Sequence, residues 1–104
     1  ELNEKKANIK HKTEFYYFLG RTSHALKKFD TALKYYRTTI HLGKEQPWYF
    51  ACRAALEMGN IYEIQKQHQN AKAAFRECLS IKPDENRFFL HQSAKAGLKR
   101  LKGV

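Results

Sequence analysis

The chain has 104 residues, 42% of them hydrophobic and 13% aromatic, enough for one globular domain with a continuous apolar seam. Twenty basic against ten acidic residues give a formal charge of +10, which predicts attraction to acidic proteins, nucleic acid or anionic membrane without choosing among them. No run of about 18 apolar residues is present, so no segment is expected to insert in a membrane, and two cysteines are too few for a disulfide framework.

Helix formers dominate and no stretch alternates with period two for long, so an all-α fold is expected. Residues 1–12 read as a lead segment or the tail of a preceding helix. Because the chain opens at Glu1 and not at Met, it is expected to be a piece of a longer protein. Phe15, Leu19, Thr22 and Leu26, joined by Phe18 and Ala25, recur at three- and four-residue steps and predict a first helix from about Ile9 or Thr13 to Leu26 with that stripe as its apolar face. The rings of Phe15-Tyr16-Tyr17-Phe18 cover every side of such a helix. Three are expected between helices, with Tyr17 the outward one.

After the turn Lys27-Lys28-Phe29, Asp30 is placed to cap a second helix that carries Ala32, Leu33, Tyr36 and Ile40 and ends at Gly43 in a left-handed cap. Pro47 suits the first turn of a third helix, with Trp48, Ala51, Ala55, Met58 and Tyr62 inward, Ala54 and Ile61 beside them, and an end near Lys66. The turn Lys66-Gln67-His68 leads to a fourth helix, capped at Gln69 or Asn70, bearing Ala71, Ala74, Phe75, Cys78 and Leu79 and stopped by Pro83. A fifth, from about Asp84 to Lys102, buries Leu90, Ala94, Leu98 and Leu101, while Lys95, Lys99 and Lys102 lie on a solvated face. From Asn86 to Val104 there are five basic residues (Arg87, Lys95, Lys99, Arg100, Lys102) and no acid, so positive potential gathers at this end. Cys52 and Cys78 fall on antiparallel neighbours and are expected to be reduced, buried and fairly near each other.

The order of elements is periodic. Phe18-Leu19-Gly20 recurs as Glu57-Met58-Gly59 and Lys95-Ala96-Gly97, with the glycines 39 and 38 residues apart, and Ala32 and Ala71 each follow a glycine by twelve residues. A period of this size marks a stacked helical solenoid whose units bury their apolar faces only against neighbours. Small residues at Gly20, Ala32, Gly59 and Ala71 mark close helix approach. Repeat one spans about 13–46, repeat two about 47–83, and the last helix, about 84–102, caps the stack. No nucleophile motif, phosphate-cradling loop or carboxylate cluster occurs. Among His11, His24, His41, His68 and His91 none pair at i, i+4, so neither enzyme, metal site nor cofactor is expected.

These residues resemble the tetratricopeptide repeat pattern over about Thr13 to Val104. Repeat one matches with Tyr16, Leu19-Gly20, Phe29, Ala32 and Tyr36 and departs at Ser23 and Thr39; repeat two matches with Met58-Gly59, Tyr62, Ala71, Phe75 and Pro83 and departs at Ala55 and Cys78. The resemblance implies antiparallel helix-turn-helix repeats in a right-handed solenoid, and a non-catalytic scaffold that binds a peptide or protein segment in a concave groove lined by the first helix of each pair. Transferred here, Tyr17, Arg21 and His24 line the groove in repeat one and Arg53, Asn60 and Glu63 in repeat two. Asn60 matches an asparagine of the carboxylate clamp some members carry. Tyr17 and Arg21 replace its lysine and asparagine, leaving that clamp incomplete. Two alternatives remain: a basic module binding RNA or DNA, or a segment that packs against other repeats or another copy of itself.

Overall fold

In a computed structural model that describes residues 2–104, the chain forms five helices: α1 (Leu2–Ala25), α2 (Phe29–Gly43), α3 (Phe50–Ile64), α4 (His68–Ser80) and α5 (Arg87–Arg100). Among the described residues there is no strand. Consecutive helices pack on each other, and α3 also touches both α1 and α5. The result is two hairpins and a fifth helix stacked in sequence, 50 × 28 × 17 Å overall.

The central helix explains the core. Phe50 to Gly59 is buried apart from Arg53, so α3 is enclosed on nearly every side. Its small residues Ala51, Ala54 and Ala55 let neighbouring helices come close. Tyr36 of α2 lies against Gly20 of α1, and Phe75 of α4 lies against Gly59 of α3; a Cβ at Gly20 would sit 2.6 Å from the Tyr36 ring, and one at Gly59 would clash at least as closely with the edge of the Phe75 ring. Gly97 of α5 meets the same ring from another side, at 2.6 Å for a notional Cβ. The glycine spacing thus records where an aromatic ring from a neighbouring helix must fit. Ala32 and Ala71 are fully buried one turn before those rings. Cys52 and Cys78 are free and buried, with sulfurs 3.6 Å apart. Their shared hydrogen bond, then burial, holds the Cys78 thiol far above the ordinary range.

Both hairpins turn by one device. Lys27 (φ 60°) and Lys66 (φ 59°) are left-handed, the Lys28 and Gln67 amides donate to the Ser23 and Tyr62 carbonyls, and the Lys27 and Lys66 amides to those of His24 and Glu63. This is the Schellman end of a helix, 39 residues apart in the two repeats. It displaces the expected caps: Lys28 and Gln67 precede α2 and α4 with no side-chain cap bond, and Asp30 lies in the first turn of α2, where a negative charge still favours the helix. Gly43 is not left-handed; it stays helical, and its missing side chain leaves room for Thr13 and Ala51, at 3.0 and 3.3 Å from a notional Cβ.

Three boundaries differ from the sequence expectation. α1 begins at Leu2, so residues 2–12 are its first turns, and Asn3–Lys12 are exposed. α3 begins at Phe50, not Pro47, because the preceding loop is tied to the one before α5: the Pro47 carbonyl accepts from the Asp84 and Glu85 amides at 2.9 and 3.4 Å, and the Tyr49 amide donates to Glu85 Oε1 at 3.2 Å. Trp48 and Tyr49 are therefore half-buried loop residues, with Lys10 Nζ 6.0 Å from the Trp48 ring centre. α5 starts only at Arg87, after Asn86 adopts a left-handed conformation.

The largest reversal concerns α1. Its inward face is Thr13, Tyr17, Gly20 and Ser23, while Phe15 and Phe18 are 58% and 54% exposed and Leu26 is also exposed. The predicted apolar stripe exists, but most of it is exposed and not packed on α2 or α3. Leu98 of α5 is half-buried where full burial was expected.

Candidate functional site

The first helices of each unit, α1, α3 and α5, share one face of the stack, and two hollows run between them. One, about 400 Å³, is lined by Arg21, Thr22, His24, Ala25 and Glu57. The other, about 460 Å³, lies between α3 and α5 and includes Arg53, Leu56, Asn60, Phe89, Ser93 and Arg100. Glu57 borders both, so the hollows adjoin along α3 as a single groove.

Glu57 anchors the floor. It is 9% exposed, and its carboxylate accepts from Asn60 Nδ2 at 3.0 Å and Arg53 Nε at 3.4 Å. A buried anion needs such partners, since desolvation otherwise costs several kcal/mol. On the α1 side, Arg21 Nη1 donates to the Tyr17 hydroxyl at 2.8 Å, and this bond, before any charge effect, raises the guanidinium further above its already high range. His24 Nδ1 is 3.0 Å from the Tyr36 hydroxyl. Burial, then the nearby Glu57 carboxylate, pushes the Tyr36 hydroxyl well above the usual phenol range, so it stays neutral. On the α5 side, Arg100 grips Glu63 with two bonds of 2.9 and 3.0 Å. That contact holds the Glu63 carboxyl below its ordinary range.

Of the six residues expected in the groove, Arg21 and His24 line one hollow and Arg53 and Asn60 the other. Glu63 lies beside it, committed to Arg100. Tyr17 is not a surface residue: at 2% exposure it packs among Tyr36, Tyr49 and Phe50, with ring centres 5.4 to 6.5 Å away, and only its hydroxyl reaches the groove, through Arg21. Glu57, Phe89, Ser93 and Arg100 were missed. The signal was present in Phe89, Ser93, Ala96 and Arg100, spaced three and four apart on one face of the last helix. Lys95 and Lys99 point elsewhere and do not line the groove.

Stacked antiparallel hairpins with a groove along the first helices define a helical-repeat protein. The tetratricopeptide repeat sequence profile matches residues 13–40 and 52–85, more than half of the chain. The chain belongs to the tetratricopeptide repeat family, whose members generally serve as protein–protein interaction modules and typically as non-catalytic scaffolds. Neither a curated protein nor a solved structure matches it significantly. No helix among the described residues is long and apolar enough to cross a membrane.

Proposed function

We propose that this protein is a non-catalytic scaffold that holds a peptide or protein segment across α1, α3 and α5. The observation that carries this reading is the continuity of the two hollows through Glu57, which offers cations, an amide and apolar side chains from three helices to one bound chain. Concave surfaces of this kind are how stacked repeats bind. The nucleic-acid reading requires the C-terminal lysines to continue the groove, and they occupy a different face of α5.

The test is co-purification with wild-type protein and with Arg21→Ala/Arg53→Ala, both side chains being outside the core. Proteins recovered only by wild type support the groove; an identical set from both rejects it. Tyr17→Ala is unsuitable as a groove variant because it would hollow the core.

A second reading is favoured by the outward stripe Phe15, Phe18 and Leu26. In this reading the outer face of α1 packs on another helical hairpin, from a longer chain or a second copy, as uncapped ends of repeat arrays do. Light scattering that gives a monomer at every concentration, unchanged by Phe18→Lys, would reject self-association.

A further inference from the structure

The groove's chemistry specifies more than the presence of a partner. Two arginines are matched by bidentate pairs: Arg37, away from the groove, holds Glu77 through bonds of 2.8 and 3.0 Å, and Arg100, on the α5 side of the groove, holds Glu63. Arg21 and Arg53 are different. Arg21 spends one N–H on a neutral hydroxyl, and Arg53 makes one long bond, through Nε, to a carboxylate that Asn60 already serves. Both guanidinium groups therefore retain unused donors, on the neighbouring helices α1 and α3. Between α3 and α5 the groove turns apolar, with Leu56 and Leu90 buried, Ala96 beside them, and Phe89 standing 72% exposed at the lip. Phe88 meets Phe89 edge to face, ring centres 5.6 Å apart. An exposed ring in the same hollow as a guanidinium with unused donors is the composition of an interface anchor.

We infer that the occupant of this groove is an internal acidic segment of another protein, carrying one large apolar residue that lodges under Phe89 while flanking carboxylates pair with Arg53 and Arg21. This rests on the groove reading above and names the class of its ligand. Charge complementarity carries the choice of an acidic segment: the chain has a formal charge of +10, Arg21, Arg53 and Arg100 line the hollows, and the carboxylates there are already held, Glu57 in the floor by Arg53 and Asn60, and Glu63 beside it by Arg100. A bidentate guanidinium–carboxylate pair is the strongest contact such a surface can make. The carboxylates are those of Asp and Glu side chains, because the two hollows adjoin and a chain can pass through both.

The probe is a library of random twelve-residue peptides fused at their C-terminal ends to a display protein, which removes every free C-terminal carboxylate. It is selected on wild-type protein, and the winners are measured on Arg21→Ala, Arg53→Ala and Phe89→Ala. All three side chains are outside the core, and circular dichroism verifies that the variants keep their helices. The expected winners are acidic peptides sharing one aromatic or large aliphatic residue, weakened about tenfold by each substitution and further weakened by added salt. Neutral or basic winners that still depend on Phe89 or Arg53 overturn the acidic class and leave the groove standing. Winners indifferent to all three substitutions, or no enrichment over a blank surface, overturn both.

Discussion

Lys27 and Lys66 occupy positions where glycine is the usual residue, since a side chain in the left-handed region carries a steric cost of about 1 kcal/mol. Nothing in the hydrogen bonds around them uses the lysine side chain, so the cost is uncompensated at those sites. Lys66→Gly should raise stability by about 0.5–1 kcal/mol, read as a higher midpoint in urea with an unchanged slope; a fall would show that the turn is held by something other than its backbone. The same residues show why the caps could not be read from sequence. Asp30 and Asn70 are good cap formers, but the preceding helices end in Schellman turns that fix Lys28 and Gln67 at the cap position. A lysine in a left-handed turn leaves no compositional trace.

Between helices, the aromatic rings of α2 and α4 are the fasteners. Gly59→Ala pushes a methyl group into the Phe75 ring and should cost about 3 kcal/mol. Phe75→Leu in the same chain should reduce that penalty; a double-mutant cycle with no coupling would contradict the contact. α5 is held to α3 partly by Arg100 and Glu63, a solvent-reachable pair worth about 0.5 kcal/mol after screening. Because the Glu63 carboxyl titrates lower in the folded state than in the unfolded chain, its contribution is complete above the unfolded carboxylate pKa and disappears as pH falls through the folded one. The stability difference between wild type and Glu63→Gln should therefore be largest at neutral pH and vanish once pH falls below the lowered pKa of the folded carboxyl. The helices themselves were legible because their apolar residues keep helical spacing. The direction of α1 was not, since its large residues lie on the outer stripe while Thr13, Gly20 and Ser23, small or polar, face the core. Periodicity detects a stripe but does not say which side has a neighbour. Tyr17 was misplaced for the same reason, whereas family geometry supplied the direction for Arg21, His24, Arg53 and Asn60, which do line the two hollows.

For the molecule as a whole, stability is passed along the stack. α2 and α4 are not packed on each other and are joined across the convex side by the Arg37–Glu77 ion pair. Phe75 is shared by α3, α4 and α5, so the final helix completes the second repeat as well as capping it. Truncation after Asn86 uncovers Phe75 and the floor of the α3–α5 hollow, and loss of about 2 kcal/mol or more of apolar burial should lower Tm by roughly 10 °C. Calorimetry that finds the shortened chain equally stable would make α5 a passive appendage. The loops add a final constraint. Pro47, at the entry to the second unit, is bonded through its carbonyl to the backbone of Asp84 and Glu85 at the exit, on a part of the surface that lines neither hollow. That clasp ties the loop before α3 to the loop before α5, so substitutions in either loop should shift α3 against α5 and change the width of the hollow between them without altering its lining.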